Sequence, residues 1–169
     1  MKKLFRLSLV AILFFAASCN TQVDNNPNYA SNLEVAKSFM TAHGAEDVDA
    51  QTEMLHEDLL WQSAAYGAKQ YGKSEHIEAL SMYQTLFDNI LYTPDNWLPV
   101  VLAETRELDG SVRTYGTWTG TPTETGKPFS LHSYHTLDFV DGKISARGDY
   151  FDLGGFFTSF QNKEEESVE

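Results

Sequence analysis

The chain has little with which to cross-link or interrupt itself: a single cysteine, 5 prolines and 11 glycines in 169 residues. One thiol cannot close an internal disulfide, so the fold must stand on packing. Basic residues are scarce too, with 12 Lys and Arg against 24 Asp and Glu and a formal charge of −12. That balance excludes a nucleic-acid partner, which needs a basic face to displace counterions from phosphates. No apolar run is long enough to cross ~30 Å of hydrocarbon as a helix. GxSxG elbows and Gly-rich phosphate loops are absent, so nucleophilic acyl transfer and nucleotide binding have no candidate residues. His132 and His135 sit at a spacing that, on a strand, turns the rings to opposite faces, which argues against a shared metal. Neither a metal nor a cofactor is expected.

What is present suits one domain with a real core: 42% of residues are hydrophobic and 13% aromatic, too much to bury for a disordered chain. Lys2, Lys3 and Arg6 precede the apolar stretch Leu9 to Ala17, the layout of a secretory signal. The order Ala16-Ala17-Ser18-Cys19 resembles the lipobox of bacterial lipoproteins. That resemblance implies cleavage before Cys19, acylation of its thiol, and an exported protein anchored to a membrane in the periplasm or at the cell surface. The expected division is a signal over residues 1–18, a polar Asn-rich tether over 19–31, one domain over 32–161 and a solvated, disordered acidic tail over 162–169.

Within the domain, helices come first and strands second. Ser31 with Glu34 reads as a capping box, and Val35, Phe39 and Ala42 share a stripe ending near Gly44. A shorter helix follows from Asp47 to Leu55, then a brief strand from Leu59 to Gln62. Ser74 opens a helix carrying Ile77, Leu80, Gln84 and Phe87 on one face. From Trp97 the period becomes that of strands, punctuated by Asp109-Gly110 and Asp141-Gly142, two dipeptides suited to tight hairpins. The first of these turns sets Arg106 opposite Arg113. Leu153 to Phe160 ends the domain in a short helical turn. His43 reads as a charge at a helix C-terminus, and His56 and His76 as solvated helix-end residues. The expected class is α+β, with the helices packed on one face of a curved antiparallel meander.

That order of elements, with HEDLLWQSAAYG, YGKSEHIEAL and LDFVDGKISARGDYFDLGGFF, resembles the NTF2-like superfamily and within it the SnoaL-like polyketide-cyclase branch. The resemblance implies a cone with a pocket, and an outer sheet face used for pairing as a homodimer. Aligned on the DGK turn, it implies that Arg147, Asp149 and Phe151 face the cavity, with His135 on the neighbouring strand. It also places Phe39 and Ser63 where the steroid-isomerase branch carries its tyrosine and base, both of which are missing here. The Arg-Asp-Arg set of the epoxide-hydrolase branch is not matched. Trp61 is expected to reach the cavity, and Tyr66 to Tyr71 to form its rim.

Register decides whether Asp149 can reach that pocket. A two-residue turn at Asp141-Gly142 sets Val140 opposite Lys143, and unbroken alternation carries His135 opposite Gly148, leaving Asp149 outside. A bulge between Ala146 and Asp149 brings it in, and Gly148 is the residue that suits one. A carboxylate in an apolar cavity has its pKa raised by desolvation and can then move a proton α to a carbonyl, with His135 holding the oxygen. Arg147, two residues away on the same side, opposes this by pairing with Asp149. Two readings follow: a module binding a small apolar ligand or a partner protein in the cone, or a cofactor-free cyclase or isomerase using Asp149 as acid/base with His135.

Overall fold

A computed structural model describes residues 28–161. The signal, Cys19, most of the tether and the acidic tail lie outside the described residues. The elements run α1 (Tyr29–Gly44), α2 (Val48–Met54), β1 (Leu55–Gln62), β2 (Gln70–Tyr71), α3 (Lys73–Leu86), β3 (Phe87–Val101), β4 (Leu108–Pro122), β5 (Phe129–Val140), β6 (Lys143–Tyr150) and α4 (Leu153–Thr158). The strands form one sheet in the order β2-β1-β6-β5-β4-β3. Only the β1–β6 pair is parallel; the other four pairs are antiparallel. The result is the expected α+β cone.

Local chemistry explains the helices, with one correction. The Ser31–Glu34 capping box does not form: α1 starts at Tyr29, inside the expected tether, the Ser31 hydroxyl donates to the Asn28 carbonyl, and Glu34 pairs with Lys37. At α2, Asp47 does cap, accepting from the Ala50 N–H at 2.9 Å. At α3 the Glu75 carboxylate accepts from the Gly72 N–H. Phe39, Leu80, Phe87, Val112, Trp118, Leu137 and Ile144 pack into one core between the helices and the concave side of the sheet.

The strands depart from expectation in three places. β3 begins at Phe87 rather than Trp97 and follows α3 without a loop; its alternation is broken by register shifts and by Asn89 at φ 55°. Pro94 is tolerated because β3 is an edge strand. The β3–β4 hairpin turns over residues 102–107, with Arg106 at φ 65°, while Asp109 and Gly110 lie inside β4. Gly110 at φ 84° kinks that strand, and its carbonyl accepts from the buried Asn32 side chain at 2.9 Å. Arg113 therefore faces Leu98 rather than Arg106, and pairs with Asp138 at 2.7 Å.

The second hairpin is the one expected, with Asp141 and Gly142 both at positive φ, 51° and 73°, as a two-residue type I′ turn requires. Its strands carry the extra residue, but nearer the turn: Phe139 faces Ile144 and Asp138 faces Ala146, so Ser145 is the bulge and Gly148 is paired normally with Thr136. From there His135 lies directly opposite Asp149.

Candidate functional site

The concave sheet face, α1, α3 and α4 surround a cavity of about 70 Å³, several times the room one water needs. Its wall is mainly apolar, from Phe39, Met40, Leu80, Phe87, Ile90, Phe129 and Phe156 among others. Small residues on β4 make way for aromatic ones: a Cβ at Gly116 would meet the Tyr92 ring at 2.6 Å, and one at Gly120 the Phe129 ring at 2.8 Å. Phe156, seated against Phe87 and Phe129, closes one end.

Into this wall the bulged β6 turns Arg147 and Asp149. The Asp149 carboxylate accepts three hydrogen bonds: His135 Nδ1 at 2.7 Å and Arg147 Nη2 at 2.8 Å on one oxygen, and Trp61 Nε1 at 2.7 Å on the other. Burial by itself raises its pKa, but Arg147 and the His135 hydrogen bond outweigh that and hold the carboxyl far below the usual carboxylate range. The Trp118 indole N–H points at His135 Nε2 from 2.9 Å. An indole nitrogen only donates, so Nε2 carries the lone pair and the proton sits on Nδ1, facing Asp149. His135 is thus neutral, and burial keeps it below the ordinary imidazole pKa despite Asp149.

The same argument fixes His76. Arg147 Nη1 lies 2.8 Å from His76 Nε2, and a guanidinium can only donate, so Nε2 accepts and the proton is on Nδ1. Burial, then the Arg147 charge, lower its pKa to about 3. Arg147 also stacks over the Phe39 ring, 4.8 Å from its centroid. One cation therefore bonds Asp149, His76 and Phe39 together, and the cavity wall carries no unbalanced charge from Arg147 and Asp149.

Phe39, Trp61, Arg147, Phe151, His135 and Asp149 all line the cavity; Ser63 does not. Ser63 follows the end of β1, where its hydroxyl accepts from the Ala65 N–H. Tyr66 is fully exposed and Tyr71 lies on β2 against the Trp61 ring, so neither lines the cavity. His76 is buried rather than solvated. His43 is not a charged helix end: burial and the Arg147 charge lower its pKa to about 4, and its ring meets Trp118 edge-on at 5.2 Å. His43, His76 and Tyr83 are cavity residues that sequence reasoning missed. For His76 the signal was available, since it lies one turn before Leu80 on the apolar face of α3.

Chemically, the site can enclose a small apolar molecule. Asp149 is a poor general base, because protonating it means giving up bonds to three buried donors and leaving Arg147 uncompensated. Among the described residues no group of three His, Cys, Asp or Glu side chains gathers to hold a metal. His132 lies on the other face of β5 from His135, against Thr117.

No curated protein matches the chain in sequence. Solved structures do match in fold. An NTF2-like protein of unknown function from Burkholderia pseudomallei superposes with a TM-score of 0.61 at 19% identity, over 76% of this chain and 95% of that one. A LEH-like epoxide hydrolase from M. tuberculosis gives 0.59 at 19% identity, over 78% and 90%. A protein provisionally named a polyketide cyclase, from Xanthomonas campestris pv. campestris, gives 0.60 at 16% identity, over 78% and 97%. Identities this low carry the fold alone, and the names span different chemistries. The SnoaL-like domain family itself matches residues 36–147, a span holding α2, α3 and every strand but the end of β6, so the chain belongs to the SnoaL-like domain family of the NTF2-like superfamily.

Proposed function

We propose that the chain is a binding domain that takes up a small apolar ligand in the cone, with Arg147, Asp149 and His135 setting the shape of its wall. The observation that carries this reading is the saturation of Asp149 by three donors inside a cavity whose remaining wall is mostly apolar. The lipobox-like run ending at Cys19 supports an exported, lipid-anchored placement. Tyr115, Leu91 and Tyr150, exposed on the sheet, support pairing with a second copy.

Calorimetric titration of the protein with indane, an uncharged bicyclic hydrocarbon, tests the reading. Saturable one-to-one binding is expected, falling more than tenfold in Ala79→Phe, where a ring fills the space beside a lining residue. Absence of saturable indane binding, or binding untouched by Ala79→Phe, overturns it. The second reading, a cofactor-free cyclase or isomerase, is favoured by the 2.7 Å His135–Asp149 contact in the cavity wall. Its signature is turnover of an added carbonyl substrate that Asp149→Asn abolishes.

A further inference from the structure

Most polar atoms in the cavity wall already have partners. Asp149, His135 and both indole nitrogens are bonded to one another, and Arg147 Nη1 and Nη2 are spent on His76 and Asp149. Four atoms of lining side chains differ in having no hydrogen-bond partner among the described residues: His76 Nδ1 and Arg147 Nε, which are sealed from solvent, and the Tyr83 hydroxyl and His43 Nε2, which are not.

The tautomers open to His43 follow from its other nitrogen. Gln51 is fully buried and its Nε2 donates to the Phe39 carbonyl at 3.2 Å, which fixes its oxygen as the acceptor. That oxygen takes a hydrogen bond from Gln84 Nε2 at 2.8 Å. His43 Nδ1 lies 3.3 Å from Gln84 Nε2 and 3.4 Å from the Gln51 oxygen. Accepting from the first leaves the proton on Nε2 and donating to the second leaves a lone pair there, so both tautomers are served at Nδ1. The chain of amides runs from α1 through α2 to α3 and lets His43 donate from Nε2 to a ligand that offers an acceptor. Tyr83, beside Gln84 on α3, is a phenol with burial and the Asp149 charge raising its pKa to about 12, so it keeps its proton.

We infer that His43 and Tyr83 are the specificity-determining polar groups of the cavity, donating hydrogen bonds to a neutral acceptor oxygen on an otherwise apolar ligand. Anions are disfavoured, because entering the cavity strips their water and Arg147, already matched by Asp149, has no charge to return. This inference rests on the ligand-binding reading above and adds the two residues and the charge class.

Calorimetry on three ligands of one shape separates the claims: indane, 1-indanone and indane-1-carboxylate. The ketone is expected to bind about tenfold tighter than indane, the worth of one to two net hydrogen bonds, and the carboxylate more weakly than the ketone. Tyr83→Phe and His43→Phe each shrink the ratio of ketone to indane affinity severalfold, and the double variant brings that ratio to about one. If indane binds but the ketone gains nothing, if the gain survives in both variants, or if the carboxylate binds tightest, this inference fails and the binding reading stands. If indane does not bind at all, both fail. Tyr83→Phe removes only an oxygen, so it decides the matter even where His43→Phe does not fold.

Discussion

Arg147 shows how much one side chain organises here. Its guanidinium bonds the Asp149 carboxylate and His76 and lies on the Phe39 ring, so removing it strands a buried anion and orphans an acceptor. Arg147→Met is expected to cost about 3–5 kcal/mol in urea unfolding. Adding Asp149→Asn removes the uncompensated charge and should recover at least ~1 kcal/mol of that loss. A double variant as unstable as the single one would show that the stranded charge is not the cause. Sequence reasoning reached this pair, since two residues apart on a strand share a face. It missed that the carboxylate is also held by Trp61, because that contact joins residues 88 positions apart through the parallel β1–β6 pairing.

At the scale of elements, the well-marked boundaries were legible and the long-range ones were not. Asp141-Gly142 declared its turn because two positive φ values in succession admit few residues. The bulge that brings Asp149 inward was anticipated from register, but it falls on Ser145 rather than Gly148, since no residue type there signals it. β3 was half missed because its Asp, Asn and Pro residues are poor strand formers, while pairing along β4 overrides that preference. His43 was misread for a similar reason: a histidine in the last turn of a helix reads as an exposed charge, and its cover, Trp118, comes from a distant strand. Gly44 is what lets that helix end seat so deeply. A Cβ there would meet the Ile90 carbonyl oxygen at 2.6 Å, a backbone atom that cannot step aside. Gly44→Ala is therefore expected to destabilise by ~1–3 kcal/mol. Gly154→Ala in α4 is the control, because its Cβ would meet nothing closer than 3.8 Å, and it should leave stability unchanged or raise it by up to ~1 kcal/mol. Equal thermal shifts for the two variants would rule out the close approach as the explanation.

For the whole molecule, two effects of pH oppose each other. The chain carries a formal charge of −12, so mild acidification reduces self-repulsion and on that ground favours the folded state. The cavity histidines act the other way. Burial lowers His43 to about 4 and His76 to about 3, and lowers His135 as well, while in the unfolded chain each titrates near the ordinary value of about 6.5. Between those limits the unfolded state binds protons that the folded state refuses, so stability must fall as pH drops below about 6.5. The slope reaches up to about 1.4 kcal/mol per pH unit for each histidine. Asp149 has the opposite sense: its lowered pKa gives stability that persists above the ordinary carboxylate value and is lost only in stronger acid, so it does not shape this window. Three cavity imidazoles outweigh diffuse surface repulsion, which salt screens. Urea unfolding at pH 7 and pH 5 is expected to show a loss on the order of 4 kcal/mol, reduced by about a third in His43→Phe relative to that variant's own stability at pH 7. A midpoint that holds steady or rises between those pH values would mean that the imidazoles accept protons inside the fold, and the contacts of His135 with Trp118 and of His76 with Arg147 would not be hydrogen bonds.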